Sequence, residues 1–255
     1  MSGLGWRDYL AAFHAAKPGA VEAVLGRSYA GGHTPYRWLA RSVAPRANLV
    51  IDLACGSGAM NRELIREGRT VVGVDLSIAE LQLAATRSSG PWLCADALSL
   101  PFSDESVDAV TSSLGVVVVQ PTSRLFDEVA RVLRPGGVFA FTTPTLRPLS
   151  PGDLEVVTQI TRYLKTPPQF PLPTEFTGYV PALARAGLGK AEDARECYRF
   201  KIEDPQDATD LIASLYLPTT PQRRKGAAIG YLLDRLAAKG PFAVAIPMRR
   251  FVALK

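Results

Sequence analysis

Three acidic residues stand where short apolar runs end. Leu49-Val50-Ile51 runs into Asp52, Val71-Val72-Gly73-Val74 into Asp75, and residues 92–95 into Asp96. After the first comes Leu53-Ala54-Cys55-Gly56-Ser57-Gly58. Its glycines let the backbone approach a ligand without a Cβ in the way. A helix starting behind them offers unpaired N–H groups to a carboxylate or phosphate. A carboxylate at the second strand tip suits ribose hydroxyls, and one at the third can accept from an exocyclic amino group. The dinucleotide fingerprint G-x-G-x-x-G does not fit. Its glycine positions hold Ala54, Gly56 and Ala59 in one register and Gly56, Gly58 and Asn61 in another. The signal lies in the loop combined with the two acids that follow it.

Strands and helices alternate around these residues. Continuous apolar runs are expected of parallel strands covered on both faces. Helices are predicted over 59–67, ended by Gly68, and from Ser77 to about Arg87, with Ser77 and Glu80 as a capping box. Strands follow at 107–112 and 138–143. Between them Leu125, Val129, Val132 and Leu133 share one helix face, and Pro135-Gly136-Gly137 makes a turn. Repeated βα units demand a parallel sheet with right-handed crossovers. Residues 1–45 read as short helices near 6–16 and 35–43. In the last third, 167–173 reads as loop, Tyr198, Phe200 and Ile202 as alternate residues of a strand, 207–217 and 221–239 as helices, and 242–254 as a last strand. Pro247 marks that strand as an edge or a bulge.

The stretches VIDLACGSG, VVGVDLS, CADALSLPFSDESVDAV and RVLRPGG resemble the class I S-adenosylmethionine (SAM)-dependent methyltransferases. Within them they are similar to the small-molecule group that includes quinone- and biotin-pathway enzymes. The resemblance covers residues 46–145. It implies an α/β, Rossmann-like three-layer sandwich in a single domain, with a mostly parallel seven-stranded sheet and an antiparallel last strand. An N-terminal helical lid (1–45) and a C-terminal helical insertion within 146–255 complete it. It also implies SAM as cofactor and S-adenosylhomocysteine (SAH) as product. The loop with Asp52, Ala54, Gly56 and Gly58 then passes under the methionine part. Asp75 takes the ribose, Leu76 lies beside the adenine, Asp96 and Ala97 meet the adenine edge, and Ser113 lies near the sulfonium. Two positions depart from the family pattern: Ala54 stands for the first loop glycine, and Leu114-Gly115-Val116-Val117-Val118-Val119-Gln120 is an apolar wall where a polar or aromatic residue is common.

No catalytic residue is assigned beyond His33, the candidate general base for an O- or N-acceptor. His14 is the other histidine, and a purely structural place is the competing reading for both. Tyr9, Tyr29, Tyr36, Trp38 and Tyr216 are candidate pocket or packing residues. Three dispersed cysteines without a CxxC pair argue against a metal site or a disulfide framework. The net charge of +5 arises after residue 145: residues 1–145 hold 13 basic and 13 acidic residues, and residues 146–255 hold 16 and 11. That leaves an RNA methyltransferase open as an alternative. Ser112-Ser113-Leu114-Gly115, however, is not the N/D-P-P-Y/F motif of enzymes that methylate base amines. A nicotinamide dehydrogenase is disfavoured by the failed fingerprint, and a SAM-binding homologue without methyl transfer stays open. The expected partner is a small molecule, a secondary metabolite or lipid- or quinone-like compound, rather than nucleic acid. With no signal-peptide pattern and no membrane-length apolar run, a soluble cytoplasmic protein is expected, monomer or homodimer.

Overall fold

The apolar runs assemble into one sheet because each can be buried on both faces. The computed structural model describes residues 5–171 and 178–255, so the end of the expected 167–173 loop lies outside the described residues. Among them the strands are β1 (Ser28–Tyr29), β2 (Leu49–Leu53), β3 (Thr70–Asp75), β4 (Trp92–Cys94), β5 (Val107–Ser113), β6 (Leu133–Pro144), β7 (Gly189–Ile202) and β8 (Phe242–Leu254). Their order is β1-β7-β8-β6-β5-β2-β3-β4. The pairs from β4 to β6 are parallel, while β8 is antiparallel to both β6 and β7. The sheet thus has eight strands rather than seven. The extra one, β1, pairs antiparallel through Ser28 with Phe200 and Tyr29 with Arg199. A two-residue strand leaves no periodic signal.

The helices are α1 (Trp6–Ala16), α2 (Ala20–Leu25), α3 (Pro35–Ala40), α4 (Ala59–Leu64), α5 (Ile78–Arg87), α6 (Thr122–Val132), α7 (Pro151–Leu164), α8 (Tyr179–Arg185), α9 (Pro205–Ala213) and α10 (Gln222–Lys239). Alternate residues of β2 point to opposite layers. Ile51 and Leu53 pack with Leu125, Phe126 and Val129 of α6 and Leu183 of α8. Val50 packs with Leu39 of α3 and Met60 of α4. A third cluster joins α7, α9 and α10 to Phe200, Ile202 and Val244. No helix of the described residues is long and apolar enough to cross a membrane.

The N-terminal segment does not behave as one cover. In α2 and α3, Leu25, Tyr36 and Leu39 are buried in the core, whereas α1 has no buried residue. Pro247 lies in an inner strand, but at a local edge position of it rather than at a bulge. It pairs with Cys197 of β7 just beyond the last β6 pair, Pro144 with Met248; its carbonyl still accepts from Thr145 N at 3.1 Å, and past the end of β6 a missing N–H is tolerated. The 135–137 turn is a bulge within β6, where pairing jumps from Leu133 to Val138. The expected capping box is half formed: Ser77 Oγ accepts from Glu80 N at 3.3 Å, but the Glu80 side chain points elsewhere.

Candidate functional site

Strand order turns at β2, which has β3 on one side and β5 on the other, and such a switch point opens a crevice at the carboxyl ends of the strands. A cavity of about 610 Å³ lies there, lined among others by Asp52, Ala54, Gly56, Asp75, Leu76, Asp96, Ala97 and Ser113. It is within the usual size range of small-molecule sites. Gly58 does not line it. At φ +80° it caps α4, and a Cβ there would stand 2.6 Å from the Trp92 ring. Ala54 takes φ +53°, a left-handed conformation that costs an alanine about 1–2 kcal/mol and a glycine almost nothing. The loop therefore keeps the shape its missing glycine would have given.

The three acids differ in surroundings. Asp52 is fully buried at the tip of β2 and enters no ion pair; its carboxylate oxygens stand near the Asn61 N–H and the Thr111 hydroxyl without a hydrogen bond of good geometry. Burial pushes its pKa up to about 8, with the Asp75 charge adding to the effect and the nearby Asn61 N–H and Thr111 hydroxyl opposing it. Asp75 is fixed instead: Oδ2 accepts from Gly56 N and Oδ1 from Ser77 N, both at 2.8 Å. Burial still holds its pKa above the usual carboxylate value. Asp96 Oδ1 accepts from Leu98 N at 2.9 Å, and Oδ2 meets Arg7 Nη2 of α1 at 3.2 Å. Leu76 is exposed at the rim, and Ala97 is buried. Ser113 Oγ lies 3.3 Å from Thr142 Oγ1.

The wall after β5 is apolar, as its sequence suggests: Leu114, Gly115, Val118 and Val119 line the cavity, with Gln120 as their polar neighbour. A Cβ on Gly115 would lie 2.4 Å from Ser112 Oγ and 2.6 Å from Ala54 Cβ, so this wall packs directly against the loop. The roof comes from elsewhere. Trp6, Arg7, Leu10, Ala11, His14 and Ala15 of α1 close one side, and Tyr216 another. Tyr36 of α3 also lines the cavity, and its hydroxyl is held protonated by burial and by the charges of Glu22 and Asp52.

His33 does not reach the cavity. Its Nε2 pairs with Glu196 Oε2 at 3.0 Å on β7, beside Tyr198, because β1 fastens its neighbourhood to the far edge of the sheet. Trp38 packs on Tyr198 and under Arg250, Tyr29 is exposed, and Tyr9 accepts from Leu217 N at 2.8 Å. Two further carboxylates, which no motif marks as site residues, line the cavity. Glu22 on α2 accepts from Ser57 Oγ and pairs with Arg62 and Arg87. Glu80, whose spacing from Ser77 predicts a helix cap, is the second. Cavity carboxylates thus number five (Glu22, Asp52, Asp75, Glu80 and Asp96), while Arg7 is the one arginine or lysine among the described lining residues. The C-terminal basic excess is partly consumed within the sheet, where Arg249 pairs with Asp193 and Arg250 with Glu192. No cluster of metal-ligating residues occurs among the described residues.

Comparison with known proteins adds sequence and fold relatives. Residues 51–141 match the family described as "Methyltransferase domain". A demethylmenaquinone methyltransferase from Corynebacterium kroppenstedtii is 40% identical over 100 residues, covering 38% of this chain and 43% of that one. One from Streptomyces avermitilis is 37% identical over 119 residues, covering 44% and 51%. The matches therefore span about half the length of these curated relatives. Among solved structures, phosphoethanolamine N-methyltransferase 2 of Haemonchus contortus, in complex with phosphomonomethylethanolamine and SAH, superposes with a TM-score of 0.61 at 21% identity. That superposition covers 99% of this chain and 60% of the other. At such identity the likeness is one of fold.

Proposed function

We propose that this chain, which carries a methyltransferase domain over residues 51–141, transfers the methyl group of SAM to an uncharged, largely apolar small molecule, releasing SAH. A lipid- or quinone-like compound or a secondary metabolite fits that description, and the demethylmenaquinone methyltransferases among its relatives agree with it. The observation that carries the reading is Asp52, a buried carboxylate in no ion pair, facing the same cavity as Asp75 and the glycine loop. A buried charge persists only where something compensates it, and a cationic ammonium is the compensation this carboxylate lacks. The donor set suits SAM. Asp52 would hold the ammonium of the methionine part, Gly56 would give its backbone room, Asp75 would accept from the ribose hydroxyls, and Asp96 and Ala97 would border the adenine.

When bound, SAM supplies a methyl group already activated by its sulfonium. What remains for the chain is alignment, and positioning can supply roughly 7–11 kcal/mol of barrier reduction. The apolar wall of Leu114, Val118 and Val119 excludes water from the face where an acceptor would lie. Arg7, the one arginine or lysine among the described lining residues, is already paired with Asp96, which disfavours a phosphorylated acceptor and an RNA backbone.

The test is Asp75→Ala. SAM and SAH affinity should fall by about 1–3 kcal/mol as the ribose loses a charged acceptor. Calorimetry on a variant that still unfolds cooperatively would remove Asp75 from the site if affinity were unchanged.

A further inference from the structure

Three separate parts of the chain meet at Glu80. Its side chain is only 4% exposed. Oε2 accepts from Gly19 N at 2.9 Å, and Oε1 lies 2.8 Å from His14 Nδ1. His14 Nε2 in turn lies 3.2 Å from the Tyr216 hydroxyl. His14 belongs to α1, Glu80 to α5 in the sheet-bound core, and Tyr216 to the segment after α9. All three side chains line the cavity.

We propose that Glu80, His14 and Tyr216 form a positioning relay that closes α1 over the Asp75 end of the cavity and ties that closure to cofactor occupancy. The inference rests on the cofactor reading above and adds residues to it. A carboxylate oxygen of Glu80 accepts, so His14 donates to it through Nδ1–H. The other ring nitrogen, Nε2, then faces the Tyr216 hydroxyl at hydrogen-bond distance. A carboxylate that fixes an imidazole tautomer, which then fixes a hydroxyl, is a known way to orient polar groups. Burial and the charges of Asp75 and Glu80 hold the Tyr216 phenol well above its ordinary pKa, so its proton stays in place.

The relay sits where a ligand would feel it. Glu80 Oε2 is 3.7 Å from the position a Cβ would take on Gly56, the residue whose N–H binds Asp75. The Asp75 carboxyl is influenced by both His14 and Glu80. Meanwhile α1 has no buried residue to hold it down. Its polar ties are Arg7 to Asp96, Tyr9 to the Leu217 N–H, and His14 to the relay, supported by the Phe13 ring against Tyr216. Helices held so lightly open locally at little free-energy cost, and a ligand that binds the closed form must slow that opening.

Amide exchange across residues 6–16, with and without saturating SAH, tests the relay on the full chain. In the unaltered protein SAH is expected to slow exchange there by about tenfold or more. His14→Gln and Tyr216→Phe should each lose most of that slowing and weaken SAH binding roughly fivefold to tenfold. The double variant should be no worse than the singles, since both break one chain. Tyr216→Phe keeps the ring that packs on Tyr9, Phe13 and Phe170, so its ligand-free unfolding midpoint should stay within about 2 °C. Undiminished slowing in both variants, fully additive losses, or a lowered midpoint with slowing retained would each overturn the relay. Absence of SAH uptake by the unaltered protein sinks the cofactor reading together with it. Uptake without any change across 6–16 sinks the relay alone.

Discussion

Asp52→Asn is expected to gain stability over the unaltered protein as pH rises from 5 to 8, by up to about 4 kcal/mol across that interval. The sign follows from the raised pKa of the buried carboxyl, about 8 against an ordinary 3.8. In the unfolded chain Asp52 is ionised above pH ~4. The folded protein must either keep it protonated or bury its charge without a partner. That penalty is absent below the unfolded pKa, grows through pH 5–8 and is constant above the folded value. The asparagine variant has no such penalty. Whatever its amide loses by lacking partners is the same at every pH, so only the slope of the difference is diagnostic. Urea denaturation at four pH values reads it, and a pH-independent difference would refute the assignment. Binding should respond in the opposite sense. If Asp52 holds the SAM ammonium, affinity of the unaltered protein rises towards pH 8 by at most about tenfold per unit, with proton release. The asparagine variant should bind more weakly and show no such slope.

Removal of residues 1–16 should lower SAM affinity by at least about tenfold, some 1.4 kcal/mol, while the remaining chain stays folded. The helix contributes six lining residues, Trp6 to Ala15, yet none of its own residues is buried. Little of the core is therefore lost with it. A longer deletion reaching residue 32 would be uninformative. It would strip Val24 and Leu25 from two core clusters and remove β1 from the sheet edge. Retained affinity in the short truncation, measured beside its thermal midpoint, would deny α1 a part in the site.

The parts of this fold legible from sequence are those with a physical signature in a short window. Leu49 to Asp52 and Val71 to Asp75 read as strands because parallel strands covered on both faces are uninterrupted apolar runs. The acids ending them read as a site because a carboxylate at a strand tip needs a partner. Helix α6 was visible from its apolar face, and its residues Leu125, Val129 and Val132 are fully buried. Long-range choices were not visible. The capping pattern at Ser77 and Glu80 is locally sensible, but Glu80 is taken by His14 and Gly19, 66 and 61 residues away. The sequence offers His33 as the candidate base, and the pairing of Ser28 with Phe200, which no short window shows, carries it away from the cavity. Helices α7 and α8 went unread among prolines and glycines, although Ser150 and Asp153 form a full capping box at the start of α7. No local pattern announces that Asp52 would be buried without an ion-pair partner, since that depends on how β5 and α4 close around it.

The claim on which the rest depends is that the β2–β5 crevice takes up an adenosyl amino acid. Isothermal titration of the full chain with SAM and with SAH at pH 8 tests it most directly. One saturable site per chain for each ligand, weakened in Asp75→Ala, is the predicted result. Protein that unfolds cooperatively on heating yet yields no saturable heat with either ligand would contradict it.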